Sequence, residues 1–306
     1  MDNLCHTLVG AALAETGLGR RARHATAALV IGANAPDLDV LAAFTEHGLG
    51  FRRGITHGIP ALVVLPFVLT GVLLLWDRRR SGRGQGDAGP GQLLLVSALA
   101  VATHPALDWM NVYGMRWLMP FDRTWTYGDA LFIIDPWLLV ILGLGWIVGR
   151  RLRRRGDAGG ERAGRRVARA AVGASVVYIA LMVMLTARAR SGAATSLGLE
   201  RPGPRRLMVA PPFFASWRRD VVYDAGDTYR FGEVVFRSPR LRPVAGELPK
   251  RLELLDSFGR TVPLLDLLDW ARFPFAEQTG RTVRVDDARY GGPGRPSFAS
   301  VTLLAR

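Results

Sequence analysis

The sequence predicts a mainly α protein: a polytopic helical membrane domain of four to six helices, some short or broken, followed by a small β-rich α+β soluble domain. Three observations carry this reading. Apolar runs at residues 59–76, 93–109, 131–148 and 167–187 approach the roughly 20 residues a helix needs to cross a bilayer. Arginine-rich loops flank them, with Arg78, Arg79 and Arg80 after the first run and the stretches 150–155 and 162–169 between the third and fourth. Beyond about residue 188 the long apolar runs give way to short strand-like segments cut by Gly, Pro and Asp. The expected domains are residues 1–189, helical and membrane-embedded, and residues 190–306, extracytoplasmic.

Taken in order, residues 4–14 read as a short helix that Asp2 or Asn3 can cap. After Arg20, Arg21 and Arg23, an apolar stretch at 25–35 is interrupted by Asn34 and Pro36 and resumes at 38–44. Both pieces are short for an unbroken span, so buried, re-entrant or broken helices are expected. The four stronger runs follow, with Gly/Arg-rich loops at 77–91 and 149–166; the Gly82-Arg83-Gly84-Gln85-Gly86 piece reads as loop composition. Arg201-Pro202-Gly203-Pro204 reads as a linker. Strands are expected at 221–223, 229–236, 282–285 and 298–304, with a short helix at 264–270.

A formal net charge of +14 and a pI near 11.2 would suit a nucleic-acid binder. The positive mean hydropathy and the placement of arginines beside apolar runs favour cytoplasmic loops instead. The expected partner is therefore the lipid bilayer and not nucleic acid. A single cysteine, Cys5, excludes an intramolecular disulfide and any Cys-rich metal site. Met1-Asp2-Asn3 lacks a basic n-region, so no removable signal peptide is expected.

With both long arginine loops cytoplasmic, the start of the first strong run lies outside, as do the end of the second and the start of the third. His57, then His104 and Asp108, then Asp129 and Asp135 fall at those points, and Asp37 can reach the same level. His6 joins them only if the short first helix crosses or dips. Imidazole and carboxylate are the groups that bind divalent metals in a site without thiolates. His104 and Asp108, four residues apart, share a helix face. Pro105 predicts a kink or restart at His104. As a purely structural pair they would cap a membrane helix, but two ionisable groups at membrane depth are costly unless paired or functional. Asp37 and Asp39 read either as a helix N-cap or as a ligand with its neighbour, Asp37 being the better ligand. His57 alone would be interfacial; preceded by Arg53-Gly54 it reads as a ligand beside an anion-holding arginine. Asp135, before Pro136, reads as a cap or as a group supporting the site. His24 and His47 have no supporting pattern, and Trp109, Trp117, Trp125 and Trp137 fit an interfacial aromatic belt.

The set Met1-Asp2-x-x-x-His6-x-x-x-Gly10, Pro36-Asp37-x-Asp39, Arg53-Gly54-Ile55-Thr56-His57 and His104-x-x-x-Asp108 resembles the YdjM-like family of bacterial inner-membrane metal-dependent hydrolases, over about residues 1–145. The segments Trp270-Ala271-Arg272-Phe273-Pro274 and Asp287-Ala288-Arg289-Tyr290 resemble the C-terminal part of longer members. Cys5, Arg52 and Gly58 depart from the residues members often carry (Thr, His and Ser), and Arg52 leaves this chain one potential ligand short. The His/Asp set is distantly similar to zinc-dependent phospholipase C and P1-type nucleases.

The resemblance and the residues together imply a divalent metal, zinc or alternatively manganese, on His6, Asp37, His57, His104 and Asp108. Metal-activated water would attack a phosphoester, with a phospholipid as the expected substrate. Asp39 or Asp135 would accept the proton or orient a ligand, and Arg53 would hold the substrate anion. The expected location is the bacterial inner membrane. The rival readings are a non-enzymatic protein whose cluster binds, senses or transports a metal ion or proton, and a structural partner whose metal only stabilises the fold.

Overall fold

The computed structural model describes residues 1–45, 48–81 and 89–304. His47 and the Gly82–Gly86 piece lie outside the described residues. The chain divides into two compact units, residues 1–38 with 53–183 and residues 39–52 with 184–306.

The first unit is helical. Helix α1 (Asn3–Glu15) opens with Asp2 as its N-cap, whose carboxylate accepts from the Cys5 N–H at 3.0 Å, so one orphan donor of the first turn is satisfied. Helix α2 (Ala25–Gly32) stops at Asn34, whose side-chain amide takes the Val30 carbonyl at 2.9 Å, and a 3-10 segment (Ala35–Phe44) follows. Pro36 offers no N–H to continue the α2 ladder, and the two pieces bend by 41°. Helices α4 (Ile59–Ser81), α5 (Pro90–Trp109), α6 (Pro136–Arg153) and α7 (Ala158–Ser196) complete the set.

Among the described residues three helical segments are long and apolar enough to span a bilayer, Ile59–Arg79, Pro90–Trp109 and Ala158–Ser196, and the bent α2 pair raises this to four. The expected run at 131–148 differs. Asp135 starts α6 at Pro136, and Arg150, Arg151 and Arg153 fill its last turn, so its apolar length falls short. On α4, Val63, Val64, Phe67, Val72 and Leu75 are each more than half exposed, which suits a helix facing lipid and not water. The expected restart at His104 is not seen. Helix α5 runs on through Pro105 for one more turn, losing a single backbone bond near its end, while tertiary contacts hold His104 and Asp108.

Small residues set the packing. A Cβ on Gly10 would meet the Leu29 carbonyl oxygen at 2.4 Å, one on Gly32 the Ala100 Cβ at 2.8 Å, and one on Gly145 the Ala171 Cβ at 2.2 Å. Helix α1 therefore sits backbone-close on α2, α2 on α5, and α6 on α7, the close approach that membrane helices use. Ala28, Leu29, Leu69, Leu93, Val96 and Ala100 fill the seam between α2, α4 and α5.

The second unit carries two antiparallel sheets. One has the order β1 (Leu207–Ala210), β2 (Arg218–Asp224), β3 (Thr228–Val235), β4 (Ser238–Pro249); the other runs β5 (Pro274–Thr279), β6 (Thr282–Asp287), β7 (Val301–Leu304). Leu207, Val209, Val221 and Val234 pack on Ala189, Ala193 and Ala194 near the end of α7. The short α3 (Gly48–Phe51) meets α8 (Val262–Trp270) where the Gly50 N–H donates to Asp266 at 3.2 Å. The motif residues 270–274 and 287–290 form one lock. Asp287 accepts from the Arg272 N–H at 2.8 Å and from Arg289 Nε at 3.0 Å, and the Arg289 guanidinium lies 4.5 Å from the centre of the buried Trp270 ring.

Candidate metal centre

The first unit gathers His6, Asp37, His57, His104 and Asp108 in one place. Asp37 stands just beyond the α2 break, His57 just before α4, and His104 with Asp108 in the final turns of α5. Asp37, His57, His104 and Asp108 each offer one ligand atom, and these atoms lie within 4.8 Å of one another. The two imidazoles face each other with Nε2···Nε2 at 3.1 Å. Asp37 Oδ1 stands 3.9 Å from His57 Nε2 and 3.8 Å from His104 Nε2. Asp108 Oδ2 stands 3.3 Å and 3.5 Å from the same two atoms.

This donor set fits a metal. His104 Nδ1 lies 2.7 Å from the Ala33 carbonyl, which can only accept, so the ring proton is on Nδ1 and the Nε2 lone pair faces the cluster. His57 Nδ1 lies 3.0 Å from the Thr56 hydroxyl, which can hold its proton there too. With both protons outward, two lone pairs converge at 3.1 Å, a contact that repels unless a cation lies between them. Nitrogen ligands about 2.0–2.1 Å from a tetrahedral ion stand roughly 3.4 Å apart, close to what is seen. The Nδ1 partners are the outer contacts that commonly fix a ligand imidazole.

His6 belongs to the cluster as a neighbour. Its ring stacks on His104 with centroids 3.8 Å apart, and its Nε2 lies 3.3 Å from Asp108 Oδ1. The sidedness of α1 is thereby resolved: its first turns lie with the His/Asp ends of the other helices. Its far end, at Glu15, meets Arg150 and Arg153 at the basic end of α6.

Arg53 is buried and faces Asp108. Nη2 donates to Oδ1 at 3.0 Å, and Nε lies 2.9 Å from Oδ2. Nη1 donates to Asn111 Oδ1 at 3.0 Å and to the Gly114 carbonyl at 3.2 Å, and the Tyr113 ring centre lies 4.5 Å from the guanidinium carbon. The Met1 amine also contacts Asp108. The guanidinium is thus engaged in holding the Asp108 carboxylate. Asp39 pairs with Arg52 at 2.5 Å and packs within the second unit. Asp135 is the N-cap of α6, accepting from the Leu138 N–H at 3.0 Å and from the Tyr178 hydroxyl at 3.0 Å. Trp125, expected in an interfacial belt, is buried beneath Arg116.

Sequence reasoning missed Asn111 and Tyr113. Asn111 is fully buried and joins Arg53 to the Tyr113 N–H, which it accepts at 2.9 Å. Its signal was an amide three residues beyond Asp108, past the end of an apolar helix.

Fold and site together define a helical membrane protein with a buried two-histidine, two-aspartate cluster able to hold a metal ion. The chain belongs to the YdjM inner membrane protein family, whose model matches residues 1–190. It is also similar to the Bacillus subtilis (strain 168) protein YfhP, described as uncharacterized, with 27% identity over 150 residues. That stretch covers 46% of this chain and 43% of the relative. No solved structure matches.

Proposed function

We propose that the chain is a membrane-bound metal-dependent hydrolase of the inner membrane, acting on a phosphoester, with a phospholipid as the favoured substrate. The observation that supports this most is the convergence of the His57 and His104 Nε2 atoms with two carboxylates. Asp37, His57, His104 and Asp108 would hold the ion, and zinc or manganese suits two imidazoles and two carboxylates. Bound there, a divalent ion supplies Lewis acidity and lowers the pKa of a coordinated water. Arg53 fixes Asp108 and offsets its charge. Asn111 fixes Arg53, and His6 sets the plane of His104 by stacking. Of the four ligand residues Asp37 is the one with some exposure, 7% against 0% for the other three, so substrate and water would arrive on its side. The proposed orientation places this centre toward the outer face and the β-rich unit outside the cell, in line with the arginine-rich loops.

A second reading has its own support. Complete burial of three ligands, with Asp108 already neutralised by Arg53, suits an ion that is kept in place and not turned over. A metal sensor or a metal-stabilised membrane protein would show this.

The test is metal content by mass spectrometry on detergent-purified wild type, His104→Ala and Asp37→Ala, followed by a headgroup-release assay on metal-loaded protein. Near-stoichiometric metal lost in both variants, with metal-dependent release, supports the hydrolase. Metal without turnover leaves the second reading, and no metal in wild type removes both.

A further inference from the structure

At the end of α1 opposite His6, the last turn of that helix, the 3-10 turn after it (Leu18–Arg20) and the N-terminal part of α7 enclose a cleft of about 560 Å³. Arg20, Arg21, Arg165 and Arg169 line it, and Leu13 and Val172 give it an apolar wall. Among the described residues one carboxylate, Glu161, contacts these arginines, at 2.5 Å from Arg20 and 3.7 Å from Arg165. Four guanidiniums less one carboxylate leave a surplus of three positive charges in a single concavity. Arg169 donates Nε to the Thr16 carbonyl at 3.1 Å, which pins the guanidinium and leaves its two terminal nitrogens for another acceptor. Gly17 closes the turn with φ +113°, and a Cβ there would sit 3.5 Å from Arg165 and 3.8 Å from Arg169. The backbone turn thus lies in van der Waals reach of both side chains.

The level of the cleft matters. Helix α7 can span a bilayer, and Arg165 and Arg169 precede its apolar stretch. The arginines therefore lie where apolar helix surface gives way to charge, the depth at which phospholipid phosphates sit. The planar guanidinium fork matches phosphate oxygens better than an ammonium does. The leucine and valine wall would take the start of an acyl chain.

We propose that this cleft seats a phosphate-bearing anion on Arg20, Arg21, Arg165 and Arg169, supplied by an anionic phospholipid headgroup or by a soluble phosphate ester. The site is separate from the His/Asp centre and does not rest on the hydrolase reading.

The experiment is native mass spectrometry of the full chain in detergent, titrated with phosphatidylglycerol, phosphatidylcholine and inorganic phosphate. The variants are Arg21→Gln, the double Arg21→Gln/Arg169→Gln, and Arg78→Gln as a basic control outside the cleft. Phosphatidylglycerol should bind more tightly than phosphatidylcholine. At roughly 1 kcal/mol per basic contact, affinity should fall about fivefold in the single variant and about thirtyfold in the double, and stay unchanged in the control. Because the Arg21 side chain makes no hydrogen bond or ion pair among the described residues, its variant keeps the test valid if loss of the Arg169–Thr16 bond unsettles the fold. Phosphatidylglycerol binding that inorganic phosphate does not displace identifies the lipid source. Tight inorganic phosphate binding lost in the same variants identifies the soluble one. Equal binding of both lipids with no binding of phosphate, or full affinity in the double variant, overturns the proposal.

Discussion

His6 and His104 stack nearly parallel, with ring planes 20° apart, although they come from the first and fifth helices. The contact joins α1 to the end of α5 at the level of the ligand atoms. It makes His6 a support for the centre through the ring it touches. Metal ligation and ring support predict different responses to its loss.

Replacing His104 or Asp37 with Ala should abolish stoichiometric metal. His6→Ala should retain metal with affinity about 10- to 100-fold lower, the usual effect of losing an outer contact. Competition with a chromogenic chelator reads both. Complete metal loss in His6→Ala would promote it to a ligand.

Arg53→Gln leaves Asp108 as a buried charge with its main partner gone, which costs about 3–5 kcal/mol. Thermal unfolding in detergent should show a large fall in midpoint. Arg53→Lys should recover only part of it, because an ammonium cannot reach Asp108, Asn111 and the Gly114 carbonyl together. Near wild-type stability in Arg53→Gln would show that Asp108 is satisfied by other means.

Gly10→Ala drives a methyl into the Leu29 carbonyl, and overpacking of this kind costs about 1–3 kcal/mol. Helix α1 must shift on α2, carrying His6 off His104. The expected outcome is weaker metal binding together with lower stability, measured on one preparation. Gly71→Ala, which meets nothing within 4 Å, is the neutral comparison.

A metal held by these residues also stabilises the fold by mass action. With free ion at a hundred times Kd the gain is about 2.7 kcal/mol. Chelation should lower the unfolding midpoint in wild type and leave His57→Ala unmoved. An unchanged wild-type midpoint would mean that the cluster holds no ion in solution.

In the β-rich unit, burial raises the Asp224 carboxyl, but the Lys250 ammonium at 2.8 Å and the Gly226 N–H outweigh it and hold the group below its ordinary 3.8. A depressed carboxyl stabilises the fold above its unfolded value and loses that contribution as pH falls through the folded one. Asp224→Asn should therefore cost up to about 1 kcal/mol at pH 7, with the deficit shrinking below pH 3.8. Hydrogen exchange at Gly226 in wild type and variant, across that range, gives the comparison.

The helices and the metal-capable residues were legible for one physical reason: ionisable groups are rare beside long apolar runs, so His57, His104 and Asp108 stood out where they occur. The side taken by His6 was not, since a helix of 13 residues can dip or cross, and only its packing on α2 through Gly10 decides. Nor were the partners of Arg53 and Asp39. An arginine beside a histidine reads as an anion clamp until the chain brings Asp108 to it from 55 positions away. Strands β2, β3, β6 and β7 showed their β-branched and aromatic residues. Strand β4 did not, because Pro239, Pro243 and Gly246 read as turn punctuation while Tyr229 and Phe231 of β3 supply its pairing from outside.

The four ligands also arrive in an order. Asp37 and His57 lie about twenty residues apart, whereas His104 and Asp108 close α5 about fifty residues later. During synthesis an ion captured early meets half its ligands, and the cage closes only when the end of α5 has left the ribosome and docked. On the proposed metal reading, loading is a late event in biogenesis, and a nascent chain stalled before residue 104 should not retain the ion.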